Sequence, residues 1–222
     1  MKFMIKLPML ALLCFTAIEI ALPSQALAGS QGVTPTGDSS EVGAGDNFAP
    51  VGSGDLVPSA NATVDTIEAS PDIAAEIVAV VTSAATTLEV AISQGQSITV
   101  PSVIPGQPDL PLSESAAATV VAALTTPPGT DAGIDAAIAL AEQISAEANI
   151  VDSSVSIDVT TLAAAVSALA ADPANLPDAI EAINALINSL SRAEMEALAK
   201  SASFAAISEV LEGANAVIPD IT

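Results

Sequence analysis

Histidine, tryptophan and tyrosine are absent from this 222-residue sequence, and there is one cysteine, Cys14. Lysine and arginine together number 4 against 26 acids, a formal charge of −22 at pH 7. Each shortage removes a class of chemistry. Nucleophilic triads, imidazole acid–base catalysis and His/Cys metal sites lack the residues that build them. With so few bases the chain cannot neutralise a phosphate backbone, so no nucleic acid partner is expected. An anionic lipid surface repels it for the same reason. The acids themselves are at an ordinary level, so the charge reflects missing bases rather than a polyacidic tail.

The few bases are unevenly placed. Lys2 and Lys6 precede an apolar run from Leu7 to Leu22, and Pro23-Ser24-Gln25 leads to Ala26-Leu27-Ala28 before Gly29. That order is the grammar of a secretory signal peptide over residues 1–28. An uncleaved anchor is the alternative, but Glu19 interrupts the apolar run. A lipoprotein reading at Cys14 meets Leu13 where a small residue is needed. Cleavage removes Cys14 and leaves Arg192 and Lys200 as the bases. The expected location is secreted, periplasmic or cell surface, and stability must come from burial rather than disulfides. Mean hydropathy is +0.61, but 46 residues are alanine, which buries little area. No later segment has 18 consecutive apolar residues, so no stable membrane span is expected after signal removal.

Residues 29–69 hold 7 of the 12 glycines, three prolines and no base. We read them as a disordered acidic arm. Residues 70–94 read as an amphipathic helix. Ser70 is the N-cap candidate, followed by Pro71 and Asp72, with Ile73, Ile77, Val80, Ala84, Leu88 and Ala91 as its stripe and Gly95 as its stop. Four prolines between Pro101 and Pro111 make residues 95–112 a Pro-rich linker. Within it, Ile98-Thr99-Val100 is a short strand candidate. Its expected partner is Val155 to Val159, where apolar residues alternate; otherwise that segment is a loop ending in an Asp158 cap.

Residues 113–218 read as a helical domain, with a tail at 219–222. Ser113 and Thr130 are N-cap candidates for two helices, the second with Ile134, Ile138, Ala141, Ile144 and Ala148 aligned. Val159, Leu162, Val166 and Leu169 form the next stripe, then Leu176, Ile180, Ile183, Ile187 and Leu190. Ser191 and Glu194 match a capping box. Met195, Leu198, Phe204, Ile207 and Leu211 line a final helix or pair of helices, with Gly213 as the C′ residue. Short loops favour antiparallel neighbours. The expected fold class is all-α: a small bundle of short antiparallel alanine-rich amphipathic helices behind the arm, with minor strand pairing between 98–100 and 155–159.

No catalytic or cofactor-binding residue, and no cofactor, emerges from these patterns. A carboxylate pair could hydrolyse glycosides in principle, but Phe48 and Phe204 are the only aromatics left after cleavage. Arg192, Glu196 and Lys200 have the spacing of a helical ion-pair ladder. Asp38, Glu41, Asp46 and Asp55 lie among glycines, superficially like a calcium loop, without the EF-hand or nonapeptide pattern; whether they bind metal stays open. Asn61-Ala62-Thr63 is a glycosylation sequon. Thr119 and Thr130 have ice-binding spacing, but Pro127-Pro128-Gly129 separates them. The expected function is a secreted, non-enzymatic structural or interaction role at the envelope or outside the cell. Partners would be proteins contacted through apolar helix faces, with weak divalent cation association. The alternative is a calcium-dependent binding module, and the last a carboxylate-dependent hydrolase.

Overall fold

A computed structural model describes residues 56–127, 129–157 and 160–218. Among these the fold is all-α, with eight α-helices and one two-stranded sheet. The signal peptide, residues 29–55 of the arm, the Asp158 cap and the 219–222 tail lie outside the described residues.

Many helix boundaries follow from local chemistry. The Ser113 hydroxyl accepts from the Ala116 N–H at 3.1 Å and opens α3 (Glu114–Thr125). Thr130 does the same for α4 (Asp131–Val151), accepting from the Gly133 N–H at 3.0 Å. In α2 (Pro71–Ser93) the stop is a Schellman turn: Gly95 has φ +62°, and the Gln96 N–H donates to the Ala91 carbonyl at 3.0 Å. Ser70 stands at the N-cap of α2, but its side chain makes no capping bond; its carbonyl receives the Ile73 and Ala74 N–H groups instead. Pro71 already removes one orphan donor there.

Helices α5 (Thr160–Ala171) and α6 (Leu176–Ser189) follow, joined by a single 3-10 turn at Pro173–Asn175. Next come α7 (Arg192–Leu198), which carries the expected Ser191–Glu194 capping box, and α8 (Ala202–Ala216). Successive helices from α1 to α6 pack on one another, α7 packs on α4, and α8 touches α2, α3, α4 and α6. It is the central element, with Phe204, Ile207 and Leu211 almost fully enclosed. Val120, Val121 and Leu124 of α3 are buried, as are the stripes expected on α5 and α6 at Leu162, Val166, Leu169, Leu176, Ile180, Ile183 and Ile187.

Several expectations are corrected. The strand Ile98–Val100 (β1) pairs with Leu110–Leu112 (β2), not with residues 155–157, the described part of the expected partner. The supposed linker is a hairpin, with a turn closed by the Gln107 N–H donating to the Ile104 carbonyl at 3.2 Å. A partner about a dozen residues away costs less loop-closure entropy than one more than fifty away. Val155 and Ile157 bury their side chains without joining a sheet. On α4 the inward face is Gly133, Ala137, Leu140, Ala141, Ile144 and Ala148, whereas Ile134 and Ile138 are exposed. Over its first turns the helix points Ile134 and Ile138 outward and packs Gly133 and Ala137 inward, where their small size allows close approach.

The arm also ends earlier than expected. Leu56, Val57 and Ile67 are buried, and Val64–Glu68 forms α1. Segment 56–61 is clipped down by polar side chains. Ser208 Oγ donates to the Leu56 carbonyl at 2.6 Å, Asn184 Nδ2 to Pro58 at 3.1 Å, and Asn215 Nδ2 to Ser59 at 2.8 Å. The Asn61 N–H returns a bond to Asn215 Oδ1 at 3.0 Å.

Gly213 is not a C′ residue but lies inside α8, where a Cβ would stand 3.1 Å from Val80 Cγ1. It is the point where α2 and α8 pack closely. Gly213→Val is expected to cost about 1–3 kcal/mol through overpacking, a fall of several degrees in melting temperature. Val80→Ala in the same chain should recover most of that loss in a thermal melt.

Candidate functional site

Helix α2 is the least buried of the long helices. Only Ile77 and Ala85 are enclosed, while Val78 and Val90 are 48% and 44% exposed. By length and composition it is apolar enough to cross a membrane, with mean hydropathy 1.6 over 18 residues. In this structure it packs against α3 and α8.

Between α2, β1 and α8 runs an open cavity of about 770 Å³, within the range of ligand pockets. Val80, Ala84 and Leu88 line one wall and Ala206 and Val210 another, with residues 97–100 along the third side. These positions follow from the α2 stripe, which has more apolar length than its neighbours cover. Glu209 is the one ionisable lining residue. Glu209 remains exposed to solvent, yet partial desolvation by the groove walls pushes its carboxyl above the usual value, and the like charges of Glu212 and Asp109 push the same way. Among the described residues it has no salt bridge and accepts no hydrogen bond. Sequence reasoning passed over Glu209, although it interrupts the otherwise uncharged run from Ser201 to Leu211.

The shift makes a signed prediction. Above its raised pKa, Glu209 is charged in folded and unfolded chains alike, and only the folded chain bears the partial desolvation and repulsion. Below the ordinary carboxylate value it is neutral in both. Ionisation therefore removes stability as pH rises through that window. Glu209→Gln should melt higher than the parent at neutral pH, by less than ~1 kcal/mol because water screens the group. The difference should vanish near pH ~3.5. Glu194 and Asp152, held low by hydrogen bonds from Ser191 and Ser154, act oppositely, stabilising above the usual carboxylate range. They are common to both chains and cancel.

A second polar cluster joins α4 to α8. Glu147 Oε2 accepts from Ser201 Oγ at 2.7 Å and from the Ser203 N–H at 2.9 Å. Its Oε1 accepts from Ser203 Oγ at 2.7 Å and Gln143 Nε2 at 2.8 Å. Ser201 Oγ also accepts the Phe204 N–H at 3.1 Å. Both serines are fully enclosed, and their protons point at a carboxylate. This is a tertiary helix cap, favoured by the dipole of α8.

The residues singled out from sequence are scattered. Arg192 Nε and Glu196 Oε1 pair at 2.9 Å on an exposed face. Helix α7 ends at Leu198, so Lys200 falls in the turn to α8 rather than on the ladder's helix. Asn61 of the sequon uses its side-chain amide to donate to the Asn215 carbonyl at 3.1 Å. Asp38, Glu41, Asp46 and Asp55 lie outside the described residues. Among the described residues no group of three acids stands close enough to hold a metal ion. No family model matches this chain, and no curated protein or solved structure matches it either.

Proposed function

We propose that this chain is a secreted, non-enzymatic acidic helical protein that binds a protein partner at the cell envelope or outside the cell. The observation that carries the reading is the open apolar groove between α2, β1 and α8, in a chain whose sequence offers no imidazole and no thiol beyond Cys14. The leader grammar of residues 1–28 supports export. The net charge of −22 keeps the protein soluble and resists adsorption to anionic surfaces. Helix α2 serves the groove as a wall rather than spanning a bilayer, because α3 and α8 pack against it and Val80 meets Gly213 on α8.

The test is a photo-crosslinking residue at Ser83, which lines the groove, compared with one at the exposed Glu181 on α6. The expected result in cells is a discrete protein adduct from position 83 alone, recovered outside the cytosol. A leader-bearing cytosolic pool, or no adduct specific to position 83, would overturn the reading.

A further inference from the structure

The groove differs from an ordinary cleft between helices because one side is a strand. The sheet has two strands, so among the described residues β1 is paired on one edge only. Its register places Thr99 opposite Pro111, with Ile98 opposite Leu112 and Val100 opposite Leu110. Pro111 has no N–H and cannot share a reciprocal pair of ladder bonds, so position 99 is the non-hydrogen-bonded one. Thr99 therefore directs its own N–H and C=O away from β2, towards the unpaired edge. Ser97, Ile98, Thr99 and Val100 all line the cavity, although alternate side chains of a strand point to opposite faces. Four consecutive lining residues are what a strand bordering the cavity along its edge provides.

The remaining walls define what fits against that edge. Val80 to Leu88 spans about 12 Å along α2, the length of roughly four extended residues. Those walls are apolar, and the charge beside them is Glu209, flanked by Glu212 and Asp109 without a counter-ion among the described residues. A chain of net charge −22 draws cations towards it and turns anions away.

We propose that the groove takes an extended apolar peptide segment of the partner, which adds to the open edge of β1 at Thr99 and sets a lysine or arginine side chain against Glu209. This rests on the partner-binding reading above and specifies the occupant. Main-chain bonds to Thr99 supply the register, the α2 and α8 walls take the apolar side chains, and Glu209 selects the charge.

The probe is an acetylated, fluorescein-labelled heptapeptide alternating valine and lysine, titrated into the full processed chain. Its counterparts carry glutamate or threonine in place of lysine. The lysine peptide should bind at least ~10-fold more tightly than the glutamate peptide. Glu209→Gln should weaken the lysine peptide about 5-fold and leave the threonine peptide unchanged. Thr99→Pro should abolish binding of every peptide while helicity and melting stay unaltered, since the lost N–H is not part of the β1–β2 ladder. In the parent chain, the lysine peptide should slow hydrogen exchange at the Thr99 amide; this readout holds even where the proline variant fails to fold. Absence of lysine-peptide binding, or binding that leaves Thr99 exchange unchanged, would overturn the proposal. A specific crosslink from position 83 together with an unprotected Thr99 would sink this inference alone, leaving the groove as a partner site of another geometry.

Discussion

A chain that begins at residue 70 is expected to fail to fold, or to melt far below one that begins at Asp46. The shorter chain loses Leu56, Val57 and Ile67, each no more than 2% exposed. At about 1.5–3 kcal/mol per buried aliphatic side chain, that is roughly 6 kcal/mol, against a total stability of about 5–15 kcal/mol for an ordinary domain. The loss does not stop there. Ser208, buried in α8, would keep a hydroxyl whose partner, the Leu56 carbonyl, has gone. Asn184 and Asn215 would lose their bonds to Pro58 and Ser59. Circular dichroism melts of the two chains decide the matter. Equal melting temperatures would mean that residues 56–69 are the free arm their composition suggests.

Glu147→Ala carries the second largest expected effect. One carboxylate receives three bonds from Ser201 and Ser203, both fully enclosed at the start of α8, and a fourth from Gln143. Alanine removes the acceptor of all four bonds, and the Ser201 and Ser203 hydroxyls stay enclosed at the helix start. Unsatisfied buried polar groups cost about 1–3 kcal/mol each; with some relaxation of the hydroxyls, a loss near 3 kcal/mol follows. For a chain of this size that lowers the melting temperature by about 10 °C. Glu147→Gln should recover part of it, since its carbonyl oxygen still accepts. Glu142→Ala on the exposed side of α4 is the control and should move the melt by less than ~0.5 kcal/mol. If Glu147→Ala behaves like Glu142→Ala, the cap contributes nothing to holding α4 on α8.

Much of this fold was legible in the sequence because helix ends are local events. Ser113, Thr130 and the Ser191–Glu194 pair act on N–H groups within three residues, so short windows suffice to find them. Stripes rich in leucine and isoleucine were equally plain, as in α6. Alanine weakened the signal elsewhere. On α4, weighting by size selected Ile134 and Ile138, whereas packing selected Gly133, Ala137 and Leu140. Gly213 was misread because a glycine near the end of a stripe looks like a stop, and only the position of Val80 reveals the close crossing.

The candidate site was scarcely legible. The apolar stripe of α2 pointed to one wall, but the groove also needs residues 97–100 and α8, which no sequence window contains together. Pro111 read as a breaker of structure, yet in the hairpin it occupies the one register position that needs no N–H. Glu209 gives only a faint signal, one acid in the otherwise uncharged run from Ser201 to Leu211; its setting against apolar walls marks it.

The bonds that hold Leu56, Ser59 and Asn61 reach across 152 to 156 residues to α8. Synthesis therefore delivers the start of the body long before its fastening exists. Until the final helix leaves the ribosome, Leu56 and Val57 have no finished niche and Glu147 has no amide to receive. The segment from Leu56 to Asn61 is therefore fastened in a late, long-range step, after the helices between have been made.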